Sequence, residues 1–203
     1  MKNLIFLVIF FNINLWCIEK CGFDKPELDQ LRTLSNCTNL IMQKNYLSPG
    51  GNFLIHFDTT GIESPDLTDL NFDNIPDYIN EVATVADSSY KLLIEKMNFK
   101  DGANGSDDIT DIFVIELGQS GAYGWARPIG CNDSCIEIDN DYLDSGYLTQ
   151  GLDAMRVTLL HEFFHVVQFD YRCGTGGNSY FYELSSTWIE DLGYPDINDY
   201  INF

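Results

Sequence analysis

Residues 161–171 read HEFFHVVQFDY, with two of the chain's three histidines four positions apart and a glutamate directly after the first. From residue 153 to residue 169 there is no glycine or proline. Leu152, Met155, Leu159, Leu160, Phe164, Val167 and Phe169 recur there at spacings that predict a largely buried helix over 153–169. On such a helix His161 and His165 project from one face a turn apart, near enough for both imidazoles to meet one metal ion. Glu162 sits about 100° round, placed to reach a water on that ion without being a ligand. The competing reading makes both histidines core residues satisfied by carbonyls and puts Glu162 on the surface. A buried apolar helix, however, has no structural reason to carry His-Glu-x-x-His.

A catalytic zinc wants a third protein ligand and a fourth position left to water. Three and six residues after His165, where the metzincin pattern has glycine and histidine, the chain has Gln168 and Tyr171. Asp170 points about 140° away from His165, so the third ligand must come from another element. The run YFYELSSTWIEDL, 180–192, is helix-compatible, and its Glu183 is flanked by apolar and aromatic residues as an inward-facing carboxylate would be. Glu190 and Asp191, two turns later, are candidates for orienting a ligand by a hydrogen bond, although solvated helix-end charge is the commoner use of such residues.

HEFFH followed by YFYELSSTWIED resembles the gluzincin group of zinc metallopeptidases. More narrowly, IEIDNDY (136–142), RVTLLHEFFHVVQFDY (156–171) and YELSSTWIEDLGYPDINDY (182–200), with NFLIHFDTTG (52–61) and NIPDYINEV (74–82) upstream, resemble a family of secreted bacterial metalloproteases of the myxobacterial type. The resemblance covers most of the chain beyond its N-terminal segment. It implies an α+β, zincin-like fold: a mixed β-sheet, an active-site helix carrying HExxH, and a following helix carrying the third ligand. It also implies His161, His165 and Glu183 as zinc ligands, and peptide or protein substrates hydrolysed by a zinc-activated water with Glu162 as general base. Tyr123, Arg127, Tyr171 and Tyr194 are candidates for stabilising the transition-state oxyanion. Gluzincins continue further beyond the third ligand than this chain does, which implies a core truncated at its C-terminus. The rival class is a non-catalytic extracellular binding protein or adhesin with a structural or inactive zinc site, which a fourth protein ligand such as Cys173 would mark.

The rest of the sequence bounds these readings. With 31 acidic against 11 basic residues and a net charge of -20, the chain lacks the basic face a nucleic-acid partner requires. Its opening, MKNLIFLVIFFNINLWC, has Lys2 and an apolar run from Leu4 to Phe11 too short to span a bilayer, and reads as a signal peptide over 1–17. That predicts a secreted or cell-surface protein with no stable membrane span once the signal is removed. Export makes the cysteines disulfide candidates, and the simplest pairing is local: Cys21 with Cys37 and Cys131 with Cys135, leaving Cys173.

A chain of 203 residues buries one core, or a core and a small lobe. The turn cluster DGANGSDD, 101–108, suggests a boundary between an N-terminal lobe over 18–100 and a catalytic core over 101–203. In the lobe we expect a short helix in DKPELDQLRTL (24–34) and a strand in NFLIHFD (52–58), with His56 in a structural hydrogen bond. A helix should run from about residue 77 to about Met97, burying Tyr78, Val82, Val85, Ser89 and Leu93. Before it, Asp69, Asn71, Asp73 and Asp77 fall at the first, third, fifth and ninth positions of a calcium loop. Asn74 stands where that loop has glycine, and Asn80 where it has its bidentate glutamate, so calcium binding competes with simple helix capping through Pro76 and Asp77. In the core, IFVIEL (112–117) and CIEID (135–139) read as strands, separated by a glycine-bearing connection. Asn36, Asn104 and Asn132 each begin a glycosylation sequon.

Overall fold

The computed structural model describes residues 37, 40–102, 107–129, 133–172 and 179–202. The expected signal peptide, the helix at 24–34, the three sequon asparagines, Cys21, Cys131 and Cys173 lie outside them. The described residues form an α+β fold with one mixed five-stranded sheet and three α-helices. In chain order the elements are β1 (Lys44–Leu47), β2 (Phe53–Phe57), α1 (Asp77–Tyr90, continuing in a π turn, Lys91–Lys96), β3 (Thr110–Ile115), β4 (Gly124–Pro128), β5 (Ser134–Asp139), α2 (Gly151–Tyr171) and α3 (Ser179–Gly193).

Strand order across the sheet is β1-β2-β3-β5-β4. The central strands β2, β3 and β5 run parallel, while β1 and β4 pair antiparallel at the two edges. Parallel neighbours need a crossover, and α1 supplies it between β2 and β3. The sheet draws β1 and β2 from before residue 100 and β3, β4 and β5 from after it, so both stretches share one sheet.

One sheet face presents Phe53, Ile55, Phe57, Ile112, Val114, Ile136 and Ile138 to the helices, where they meet Ile79, Val82 and Ala86 of α1 and Met155, Leu159 and Phe163 of α2. The opposite face is also covered: Phe113, Ile115, Trp125 and Cys135 pack with Cys37, Leu40 and Met42. Burial on both faces explains why β3 reads as an unbroken apolar run rather than an alternating one. Helix α1 buries the five residues expected of it, Tyr78, Val82, Val85, Ser89 and Leu93. His56 has the expected structural role, 2.6 Å from Asp111 Oδ1 and stacked on Phe113.

Two expectations are corrected. The connection at 118–130 contains a strand, β4, although glycine and proline punctuate it. Gly124 is required there: a Cβ would fall 2.7 Å from Thr158 Cγ2 and 3.0 Å from Glu162 Cγ, so the bare backbone lets α2 lie close against β4. The local cysteine pairing is also wrong. Cys37 is joined to Cys135, 98 positions away, which ties the segment over the sheet's second face to β5 and leaves neither cysteine for Cys21 or Cys131. Spacing alone cannot reveal such connectivity.

Candidate metal centre

Helix α2 spans two residues more at each end than the apolar pattern predicts. It lies between the sheet, α1 and α3, and is apolar nearly all round because it is covered nearly all round. Polar side chains in such a helix need partners. His161 and His165 are 2% and 0% exposed and Glu162 is 0% exposed, so the reading that leaves Glu162 on the surface does not hold.

Helix α3 brings Glu183 to the two histidines. His161 Nε2 lies 3.1 Å from His165 Nε2 and 3.2 Å from Glu183 Oε2, and His165 Nε2 lies 3.3 Å from Glu183 Oε1. One ligand atom from each residue falls within 4.8 Å of the others. The imidazoles are enclosed while the Glu183 side chain is 30% exposed, so the cluster reaches solvent on the α3 side.

Whether these residues fit a metal turns on the far side of each ring. His161 Nδ1 is 2.5 Å from Glu190 Oε1, and His165 Nδ1 is 2.7 Å from Gln168 Oε1. Both partners are acceptors, so each Nδ1 donates and each Nε2 is left to present a lone pair. Two such lone pairs 3.1 Å apart beside a carboxylate repel unless a cation lies among them. Without a metal, a proton takes that part. Burial works against a charge on His161, but the Glu183 and Glu190 carboxylates outweigh it and push the imidazole up to about 10. Burial likewise raises the Glu183 carboxyl, yet His161 and His165 hold it well below the usual carboxylate range. The donor set, two imidazole nitrogens and a carboxylate oxygen, therefore fits a metal ion that would compete with that proton.

Glu162 points elsewhere, as its position on the helix requires. Its Oε2 accepts the backbone N–H of Ala126 on β4 at 2.8 Å. That pins the carboxylate between the HExxH helix and the edge strand. Glu190, placed by its sequence at a helix end, is fully buried against His161. Asp191, its neighbour, is exposed and accepts from the Tyr200 hydroxyl at 3.3 Å.

The four oxyanion candidates are dispersed. Tyr123 is buried with its hydroxyl accepting from Leu148 N–H and Thr149 N–H. Arg127 pairs with Glu137 at 2.8 Å and covers Trp125, on the sheet face turned away from α2. Tyr171 accepts from Lys100 N–H at the end of α2, and Tyr194 packs at the margin of the main core. The sequence reading missed Gln168 and Ala126. Gln168 carried a usable signal, since three residues on from His165 is the same helix face. Ala126 acts through its backbone, which no residue type announces.

In the loop before α1, Asp69 accepts from the N–H groups of Asp73 and Asn74, Asn71 from Asp73, and Asp73 from Ile75. Asp77 accepts from Leu70 N–H. Asn74 takes the left-handed conformation expected at its glycine position, with φ of 69°. The N–H of Ile75, foremost, keeps the Asp73 carboxyl below its ordinary value.

No family model, no curated protein and no solved structure matches this chain. The gluzincin likeness therefore stands on its motif residues alone.

Proposed function

We propose that this chain is a secreted zinc-dependent metalloendopeptidase of gluzincin type. The observation that carries the reading is the convergence of His161 Nε2, His165 Nε2 and a Glu183 oxygen within 4.8 Å, with each Nδ1 occupied by an acceptor behind it. Two imidazoles and one carboxylate are the ligand set of catalytic zinc sites that keep a position open for water. Zinc, when bound, supplies Lewis acidity that makes water nucleophilic near neutral pH and polarises a peptide carbonyl.

The protein's own residues would do the rest. His161, His165 and Glu183 hold the ion, and Glu190 and Gln168 fix the rings that present it. Glu162, the HExxH glutamate, accepts the proton of the attacking water and passes it to the leaving amine. Its tie to Ala126 N–H holds the carboxylate against β4. Strand β4 is a sheet edge beside α2, and an extended peptide laid along such an edge gains main-chain hydrogen bonds whatever its side chains. Export is supported by the apolar N-terminal run and the disulfide between Cys37 and Cys135.

Digestion of a broad peptide library, with zinc content measured on the same samples, tests the proposal. Zinc-loaded protein is expected to cleave internal peptide bonds. Glu162→Ala is expected to keep its zinc and lose ~10²–10⁴-fold in rate, as for removal of a general acid-base group. Full activity in Glu162→Ala would refute the mechanism, and a zinc-loaded chain that cleaves nothing would refute the peptidase reading.

A further inference from the structure

Gln168 lies at the meeting of α2 and α3, and its amide has only one workable orientation. Its Nε2 donates to the Tyr182 carbonyl at 3.2 Å and to Ser185 Oγ at 3.0 Å. The Ser185 hydroxyl is itself spent on the Phe181 carbonyl at 2.7 Å, so its oxygen faces the amide as an acceptor. Turning the amide over would set Oε1 against the Tyr182 carbonyl, two acceptors with no proton between them. Oε1 therefore faces His165 Nδ1 at 2.7 Å and obliges that nitrogen to donate. Ser186 Oγ stands 3.4 Å from the same nitrogen and leaves this assignment unchanged.

The anchors of the amide, Tyr182 and Ser185, flank Glu183 in the same turn of α3. That turn thus delivers two things to the cluster: a carboxylate in person, and the tautomer of His165 through Gln168. Resting on the metal reading above, we propose that Gln168 is a positioning residue that couples the seating of α3 to metal affinity. It holds the proton on His165 Nδ1 and so reserves Nε2 for the ion. If α3 is displaced, the Glu183 oxygen and the fixed imidazole are lost together, and metal binding and docking of α3 become one cooperative step.

Two measurements test this, neither of them activity: the imidazole tautomer of His165 by ¹⁵N NMR of metal-free protein, and zinc affinity by competition with a chromogenic chelator. In wild type the proton is expected on Nδ1. Gln168→Leu, similar in size but without an acceptor, should mix the tautomers and weaken zinc about 10–100-fold, the usual cost of removing such a partner. Gln168→Glu keeps an acceptor for Nδ1 but sets its second oxygen against the Tyr182 carbonyl, so it should restore the tautomer and recover the affinity only in part. Ser185→Ala, mild for folding, withdraws one anchor and should weaken zinc several-fold. Wild-type tautomer and affinity in Gln168→Leu would overturn the role of Gln168 while leaving the metal reading intact. Equally mixed tautomers in Gln168→Leu and Gln168→Glu would also overturn it, by showing that the acceptor facing Nδ1 does not set the proton. Unchanged affinity in Ser185→Ala would overturn the coupling through α3. A wild type that takes up no zinc would overturn the metal reading itself, and this proposal with it.

Discussion

The loop at residues 69–80 and the junction of α2 with α3 both gather side chains of the kinds that ligate metals, but they use the atoms differently. In the loop, Asp69, Asn71, Asp73 and Asp77 all accept N–H groups from the loop's own backbone, and Asn71 and Asp73 lie exposed to water. At the junction the backbone plays no such part. Side chains of α2 and α3 occupy the outer nitrogens of His161 and His165, and the leftover atoms converge with Glu183. A crowd of carboxylates and a set of donors aimed at one point are thus different arrangements. The stronger candidate for a metal is the one in which rigid elements occupy the outer nitrogen of each imidazole and aim the other at one point.

The largest expected effect follows from filling that point. At free zinc about a thousand times the dissociation constant, binding to the folded chain alone adds about 4 kcal/mol. For a chain of this length that is about 8–16 °C in melting temperature, which chelation should abolish in a calorimetric scan. An unchanged melting temperature after verified removal of zinc would put the cluster on a par with the loop. Next in size is the contrast between Glu190 and Asp191. Glu190→Ala leaves a buried His161 N–H without its acceptor, a cost of about 1–3 kcal/mol, whereas Asp191→Ala changes an exposed group and should stay within about 0.5 kcal/mol. Urea unfolding of the two variants separates them, and equal costs would mean that the burial of Glu190 has been misjudged. The smallest effect is expected from calcium at the loop. A millimolar site in a few millimolar calcium yields under about 1 kcal/mol, or about 1–3 °C. A calcium shift as large as that of zinc would break the comparison.

The sequence made much of this legible because burial leaves periodic traces. Strands β2, β3 and β5 and helices α1, α2 and α3 all announce themselves through apolar spacing or unbroken apolar runs. Strands β1 and β4 do not, and for physical reasons. β1 is an edge strand with three of its four residues exposed, so little alternation is imposed on it. β4 carries Gly124 and Pro128, which read as turn signals, although the glycine serves the close approach of α2. Within the site, His161, Glu162, His165 and Glu183 were visible through spacing and flanking residues. Glu190 was only half legible: beside Asp191 it reads as helix-end charge, although seven residues after Glu183 is two turns, within about 20° of the same face, while Asp191 falls about 100° further round. The pairing of Cys37 with Cys135 was not, because a bond across 98 positions depends on strand order rather than on any local pattern.

Zinc content after exhaustive dialysis, compared between Glu162→Ala and Glu183→Ala, tests the convergent site most directly. Glu162 is tied to the Ala126 backbone, whereas Glu183 contributes an oxygen to the cluster. Glu162→Ala should retain stoichiometric zinc, and Glu183→Ala, reduced to two imidazoles, should lose it. Stoichiometric zinc in Glu183→Ala, held as tightly as in wild type, would contradict the assignment and send the third ligand elsewhere.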